Sequence, residues 1–316
     1  MYLKNTFELT LNMDANKFHK LLDRVFNDLE SFEENIYVDH NFTSKGVTII
    51  YHDSQYKKRI KLIVNPYRLS DSEETAHEKA ARKLDKRVNS YFNYKYQLND
   101  FSLTGMTLAT DIDVRDREKV SAYIKMLHRI GKVKGFSPST NNWLNDNIGF
   151  CLDGNSNGIQ FMAHNLENLC REQKSIAKKL NSLLRVEVRL VKPKAIRTYT
   201  NKSVVSEQIA DLSVIGQKIF LDTFMRVVPF GNFYKKDKAV EIIREKITDG
   251  TIRRRMLRLV ELVPEKKSLI LAQKALQYRD IDRVMKAFTE LNVSPVTLPK
   301  SMKLKSLDSL YSYLEG

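Results

Sequence analysis

Seven residues from Leu184 to Leu190 alternate strictly between apolar and charged side chains. Because successive side chains of a strand point to opposite faces, this pattern predicts a strand with one buried face. The other face presents the carboxylate of Glu187 between the guanidinium groups of Arg185 and Arg189. Two interpretations fit: the charged outer face of an edge strand, or a phosphate- or metal-handling face inside a cleft.

The composition restricts the class of protein. The 316 residues carry a formal net charge of +15, which favours a polyanionic partner, most often nucleic acid, over a generically basic soluble protein. No run of about 18 apolar residues occurs, so we expect no membrane span, and the polar start does not resemble a signal peptide. Two cysteines, Cys151 and Cys170, fit a reducing cytoplasm. Walker A, GxGxxG and GxSxG motifs do not occur, so nucleoside-triphosphatase, dinucleotide-binding and hydrolase functions lack support.

The first hundred residues predict the order strand, helix, hairpin, helix. Phe7–Met13 alternates as a strand, and Asp14 is a suitable N-cap for the helix that follows. Val47–Tyr51 and Arg59–Val64 form the predicted hairpin. Ser70–Asn89 is charged and helical. The acidic residues near its start suit the positive end of a helix.

The same order then recurs. A strand, a helix, a hairpin, a second helix and a closing strand are predicted, and together the two sets indicate a duplicated α+β domain of ferredoxin-like type over residues 1–200. The predicted elements of the second set are Thr107–Val114, Arg115–Ile130, Gly149–Leu152 with Gly158–Ala163, Asn165–Leu180 and Arg185–Leu190.

Helical patterns dominate after about Thr200. We therefore place a domain boundary there and predict an all-helical, DNA-binding domain over residues 201–316. The predicted helices are Val204–Met225, Asp237–Ile247, Thr251–Val263, Glu265–Tyr278, Ile281–Leu291 and Ser306–Leu314. Prolines at 264, 295 and 299 separate several of them.

Carboxylates at the end of one predicted strand suggest a metal site. Asp111 and Asp113 are two residues apart and therefore share a face. If the closing strand neighbours this one, Glu187 lies close to Asp111, and the three carboxylates form an oxygen-rich site that suits Mg²⁺ or Mn²⁺. Arg185 and Arg189 would then bind phosphate. The alternatives are a strand that runs out into solvent and arginines that neutralise Glu187 as a surface pair.

A histidine and a cluster of arginines complete the candidate residues. His164 ends a strand of the second half and is a candidate ligand or base, although a lone histidine is often structural. A helix over Thr251–Val263 would align guanidinium groups along a DNA backbone, or else present a solvated basic face. The arginines are Arg253, Arg254, Arg255 and Arg258, and Lys235, Lys236, Lys300, Lys303 and Lys305 could extend that surface.

Several segments together resemble a known family. The order DFSLTGMTLATDIDV, GIQFMAHNLENL and LLRVEVRLVKPKAI is similar to the phage and plasmid rolling-circle replication initiators of the gene II/X family. RIKLIVNPYRLS resembles a strand of their first half, and the region from RRRMLRLVELVPEKKSLILAQKAL to SLYSYL resembles their helical tail. The motifs are short and degenerate, and LRVEVRL is the most specific.

The resemblance implies a nicking reaction. Such proteins cleave one DNA strand with a tyrosine that takes the 5′ phosphate, and a divalent cation polarises the scissile phosphate. By resemblance, Asp111, Asp113 and Glu187 fall on the acidic positions. The sequence departs from the family where His164-Asn165-Leu166 replaces a Tyr-Asn-Lys motif, and it lacks a two-histidine HxH motif. The candidate nucleophiles are Tyr199 and the cluster Tyr91, Tyr94 and Tyr96, each of which could instead pack or stack on bases.

Three functions remain open from the sequence. The first is an initiator of rolling-circle replication that binds the origin of a plasmid or phage and nicks it with a divalent metal and a tyrosine. The second is a non-catalytic, sequence-specific DNA-binding protein on the same scaffold, acting as a regulator or recruiting a host helicase. The third is an RNA-binding protein without catalysis.

Overall fold

One large antiparallel sheet dominates the protein. The computed structural model describes residues 2–26, 29–69, 76–92, 95–140, 148–167 and 180–314. Ten of the described strands form one sheet in the order β2-β3-β4-β5-β1-β6-β10-β9-β8-β7. These strands are β1 (Lys4–Met13), β2 (Glu30–Glu33), β3 (Ile36–Asp39), β4 (Val47–Asp53), β5 (Lys58–Val64), β6 (Ser102–Asp113), β7 (Phe136–Pro138), β8 (Gly149–Gly154), β9 (Ile159–Asn165) and β10 (Leu183–Leu190).

Helices pack on the apolar face of this sheet. The longest, α6, contacts β1, β6, β9 and β10, while α4 contacts β8, β9 and β10. The described helices are α1 (Ala15–Val25), α2 (Pro66–Leu69), α3 (Ala76–Tyr91), α4 (Arg117–Ile130), α5 (Pro193–Tyr199), α6 (Val205–Val227), α7 (Lys236–Lys246), α8 (Gly250–Lys266), α9 (Leu269–Ala275) and α10 (Ile281–Glu290). None of these helices has the length and apolar composition needed to cross a bilayer.

The alternating stretch at 184–190 forms β10, as predicted. Leu184, Val186, Val188 and Leu190 are all buried, and the charged residues between them lie on the opposite face. Burial of these four aliphatic side chains at about 1.5–3 kcal/mol each stabilises this strand in the sheet. Its position between β6 and β9 makes it an interior strand, which excludes the interpretation as an edge strand.

The two halves of the sheet differ in strand order. In the first half, β1 lies directly beside the return strand of the hairpin, giving the order β4-β5-β1. In the second half, β10 separates β6 from the corresponding strand, giving the order β6-β10-β9-β8. The fold is therefore α+β with a large antiparallel sheet, and the duplicated ferredoxin-like arrangement is not confirmed.

Residues 201–314, which we call the helical tail, are not wholly helical. β11 (Phe233–Tyr234) pairs with β12 (Ser306–Leu307), so the helix predicted over Ser306–Leu314 is wrong at its start. The pairing partner lies more than seventy residues away in the chain, beyond the reach of a local periodicity. The helix predicted over Glu265–Tyr278 exists as the shorter α9, but its predicted bounds are wrong, because α8 continues through Pro264 and the chain turns at Lys267, which has a left-handed φ of 47°.

Tail and sheet share one hydrophobic core. Apolar residues of α6, α8 and α10 belong to the same buried cluster as those of the sheet. Gly216 of α6 lies so close to the sheet that a Cβ there would be 3.0 Å from Leu108 Cδ2. The boundary near residue 200 stays a prediction. Most of the predicted helix Asn165–Leu180, together with Tyr94 and Cys170, lies outside the described residues.

Candidate functional site on the polar face of the sheet

The charged residues of three adjacent strands lie together on the face opposite the apolar one, which we call the polar face. Arg185 of β10 is directly opposite Asp111 of β6 on one side and His164 of β9 on the other. Glu187, two residues further along β10, is opposite Ala109 and therefore on the same face. The prediction that β6 and β10 are neighbours is confirmed, but the register places Arg185, and not Glu187, opposite Asp111.

Asp111 is held by two cations. Arg185 donates two hydrogen bonds to its carboxylate, Nε to Oδ1 at 2.6 Å and a terminal nitrogen to Oδ2 at 2.9 Å. Lys4 of β1 donates a third, from Nζ to Oδ2 at 2.6 Å. Burial raises the pKa of Asp111, but the hydrogen bonds and charges of Arg185 and Lys4 outweigh it and hold that pKa below its ordinary value. Both oxygens are thus already charge-compensated.

Asp113 has a different environment. It is exposed at the end of β6, where its Oδ1 accepts a hydrogen bond from the backbone N–H of Arg115 at 2.8 Å. Arg115 has a left-handed φ of 61°, so this bond stabilises the turn into α4. The three carboxylates predicted as metal ligands are engaged separately. Within the described ranges, no group of three or more His, Cys, Asp or Glu side chains could hold a metal ion.

Glu187 and His164 form a buried pair. The His164 Nε2 lies 3.2 Å from Glu187 Oε1, and the two side chains are only 4% and 14% exposed. Burial raises the pKa of Glu187, but the hydrogen bond to His164 and the charges of His164, Arg189 and Arg185 together lower it below its ordinary value. Glu187 is therefore a carboxylate at neutral pH, and it orients the imidazole ring.

The second ring nitrogen of His164 is the chemically interesting atom. Nδ1 is buried and has no hydrogen-bond partner among the residues that the structure describes. Because a carboxylate can only accept, Nε2 donates the hydrogen bond to Glu187, and in the neutral ring Nδ1 then keeps a lone pair. Gly149 is opposite His164 on β8 and contributes no side chain on that side.

A second guanidinium extends the charged row. Within the described part of the chain, the Arg189 Nε is buried without a partner, and one terminal nitrogen lies 3.7 Å from Met162 Sδ. Its other terminal nitrogen is 3.7 Å from Glu8 Oε1, and Glu8 is also bound by Lys61 at 2.5 Å. A buried donor without an acceptor is costly. The polar face is therefore suited to an anionic group placed beside Arg189.

The predicted nucleophile candidates lie in other surroundings. Tyr199 ends α5, and its pKa is raised above the ordinary value, mainly by burial. Two charged residues of α6 modify this shift: Arg226 lowers the pKa and Asp222 raises it. The Tyr91 hydroxyl donates to Asp39 at 2.7 Å and bonds the Tyr51 hydroxyl at 2.5 Å. Burial raises the pKa of Tyr91, so this hydroxyl is a poor nucleophile. Tyr96 packs against the ring of Phe92.

The arginines of α8 divide into two pairs. Arg253 donates to the carbonyl of Ile247, and Arg255 donates to the carbonyl of Leu276 and stacks on Tyr278. Arg254 and Arg258 are exposed on one face of the helix, and Arg258 also contacts Glu261 at 3.3 Å. The residues predicted to face the core do so: Ile252, Met256, Leu259 and Val263 are buried. Two arginines therefore stabilise the tail, and two are available to a partner.

The sequence interpretation missed the contribution of β1. Lys4 and Glu8 reach the charged residues of β6 and β10 from a strand about a hundred residues earlier. The signal was present, because β1 alternates buried and polar positions along its length. The sequence pattern did not show that β1 lies beside β6, because local periodicity does not identify the partner of a strand.

Comparisons with known proteins add little to this geometry. No known family model matches the chain, and no curated protein matches it. Among solved structures, a rolling-circle replication initiator protein from Geobacillus stearothermophilus is similar, with a TM-score of 0.30 and 14% identity over 79% of this chain and 90% of that chain. A TM-score of this size does not define a common fold.

Proposed function

We propose that the protein binds DNA through the exposed face of α8. The observation that carries the proposal is the pair Arg254 and Arg258, one helical turn apart and exposed, in a chain of net charge +15. Their α8 neighbours Arg253 and Arg255 brace the same helix against Ile247 and Leu276. A rigid helix with two guanidinium groups on one face can contact successive phosphates.

The sequence resemblance to rolling-circle initiators makes the role more specific. We propose that this DNA is the replication origin of a plasmid or phage, and that a host helicase acts after the protein has bound. A regulator that binds DNA without cleaving it is the alternative on the same scaffold. An RNA-binding protein would prefer an RNA duplex of the same sequence.

Charge reversal of Arg254 and Arg258 tests the DNA contact. The variant Arg254→Glu/Arg258→Glu is compared with Lys274→Glu/Lys286→Glu, which changes the net charge equally on α9 and α10. Fluorescence anisotropy with a 30-base-pair DNA duplex is recorded at several salt concentrations. Log of the binding constant falls with log salt concentration. If both arginines contact phosphates, the variant should make this negative slope shallower by about 1.8, at about 0.9 per contact.

The control variant Lys274→Glu/Lys286→Glu distinguishes DNA binding at α8 from attraction by the overall positive charge. Equal loss of affinity in both variants would mean that overall charge, and not α8, attracts DNA. Unchanged binding in the Arg254/Arg258 variant would place the DNA contact on another surface. A parallel titration with an RNA duplex distinguishes the RNA-binding alternative, because a preference for RNA would contradict the proposed role.

We propose DNA-strand cleavage as a second candidate function, favoured by the Glu187–His164 pair. Glu187 orients the ring, and the Nδ1 of His164, which is buried and has no partner among the described residues, would accept the proton of an attacking hydroxyl once that hydroxyl reaches the buried ring. That oxygen then forms a bond to phosphorus as the bond to the 3′ oxygen breaks, and the leaving oxygen takes a proton from water. Arg189, and Arg185 beside it, supply positive charge for the phosphate.

The residues around this site do not support a role for a metal ion in cleavage. Asp111 is already compensated by Arg185 and Lys4, and Asp113 caps a turn. These residues do not fit a three-carboxylate site for Mg²⁺ or Mn²⁺, so no step is assigned to an ion.

An assay with supercoiled plasmid tests cleavage. Plasmid carrying the cognate origin is incubated with the protein and Mn²⁺, and relaxed circles and covalent protein–DNA adducts are measured. Glu187→Ala and His164→Asn should abolish nicking while duplex binding through α8 persists, and Tyr199→Phe identifies or excludes that nucleophile. If the wild-type protein yields neither relaxed circles nor adducts, the non-catalytic alternative is correct.

A further inference from the structure

A pocket of about 540 Å³ opens where the helical tail crosses the first turns of α4. Its walls come from α4, from the end of β9 and from residues 301–304 of the tail. A hydrogen bond near the pocket holds the tail against α4, because the Tyr123 hydroxyl donates to the Asp308 carbonyl at 2.9 Å. A volume in this range suits a small organic ligand such as a nucleotide.

The charge in this pocket is mainly positive. Among the described residues, Arg117, Lys125 and Lys303 line it, against one lining carboxylate, Glu118. Neither Lys125 nor Lys303 makes an ion pair in the part of the chain that the structure describes. Arg117 uses its Nε to bond Glu167 at 2.8 Å. The helix α4 begins here, and its N-terminus adds a partial positive charge. An anionic group is therefore favoured over a cation or a neutral ligand.

The remaining walls offer hydrogen bonding and apolar contact. Asn165 is 5% exposed, and its Oδ1 already accepts the backbone N–H of Glu167, which leaves its amide N–H groups for a ligand. Ser121 adds a hydroxyl. Met302 and Leu304 supply an apolar side. A ligand that combines an anionic group with a flat, largely apolar ring satisfies all three features.

We propose that this pocket binds the phosphate of a nucleotide, with the sugar or base against Met302 and Leu304. The site is separate from the polar face. Asn165 directly follows His164 on β9, and successive side chains of a strand point to opposite faces. The nucleotide could be a free nucleotide or the phosphorylated end of a DNA strand, since both present the same phosphate. The proposal does not depend on DNA binding by α8.

Titration of the full-length protein with two probes tests the pocket. ATP is titrated by calorimetry, and a 5′-phosphorylated (dT)10 oligonucleotide is compared with the same oligonucleotide without its phosphate. Two variants alter the site: Lys125→Glu/Lys303→Glu reverses its charge, and Ser121→Trp fills it without a charge change. Lys274→Glu/Lys286→Glu is the matched control, and circular dichroism checks that each variant folds.

Both pocket variants should weaken the binding of at least one probe by about tenfold or more, while the control stays within about twofold. An effect on ATP assigns the site to free nucleotides, and an effect on the phosphorylated oligonucleotide alone assigns it to a strand end. Equal affinities in pocket and control variants, or no binding of either probe to the wild type, would overturn the proposal. Duplex binding through α8 should be unchanged in Ser121→Trp, which alters no residue of the predicted DNA-binding surface, so the two proposals fail separately.

Discussion

Replacing Asp111 with asparagine separates an ion-pair role from a metal-ligand role. Arg185 and Asp111 are 24% and 15% exposed and share two short hydrogen bonds. Exposed ion pairs contribute about 0–1 kcal/mol and breaking a buried pair costs about 3–5 kcal/mol. The pair is intermediate, and asparagine keeps one acceptor for Arg185. We therefore expect Asp111→Asn to lower the free energy of unfolding by about 2 kcal/mol at pH 7.

The loss should depend on pH. The folded-state pKa of Asp111 is lowered, so its stabilisation is fully present above the unfolded value of about 3.9 and is lost as pH falls through the folded value. Urea unfolding followed by circular dichroism should give a constant difference between wild type and variant from pH 7 to about pH 5. The difference should shrink below about pH 4.

Asp113→Asn is the matched control for this experiment. It makes the same charge change on the same strand, but Asp113 is exposed and an amide oxygen can still accept the Arg115 N–H. Its effect should stay within about 0.5 kcal/mol. Equal effects of the two variants, a difference that does not change with pH, or stabilisation by Asp111→Asn would refute the ion-pair role. Stabilisation is the result expected of repelling carboxylates that await a metal.

Two further experiments test contacts elsewhere in the fold. Tyr91→Phe removes the donor to buried Asp39 and should cost about 1–3 kcal/mol in urea unfolding, whereas an unchanged midpoint would contradict that bond. Gly131→Ala should lower the melting temperature more than Gly135→Ala. Both glycines have positive φ, but a Cβ at 131 would be 2.4 Å from the Lys267 carbonyl, whereas one at 135 would touch no described residue within 4 Å. Equal shifts would mean that backbone strain alone matters.

Local patterns predicted the elements that bury a regular face. β10 and the core face of α8 follow from alternation and from helical spacing, because burial of each face depends on neighbours in the sequence. The sequence patterns did not predict the paired strands β2 and β3 or the short strand β7. Each has only three or four residues, too few for a period to emerge.

The candidate site depends on information that no local pattern contains. Asp111 faces Arg185 because of the register between β6 and β10. A shift of two residues would keep every side chain on its face and bring Glu187 opposite Asp111 instead. The hydrophobic pattern is the same in both registers, so the sequence could not distinguish an ion pair from a cluster of carboxylates. The partner Lys4 required the position of β1 as well.

The position of β1 has a consequence for how the chain reaches its native state. One edge of β1 pairs with β5, whose residues end at Val64, while the other pairs with β6, where Lys4 meets Ala109. During synthesis the first edge can close early, but the second must wait for about forty more residues after β5. An unpaired edge in that interval can join a neighbouring chain. Refolding from denaturant should therefore be slow and sensitive to protein concentration, because the central pairing of the sheet joins segments so far apart in the chain.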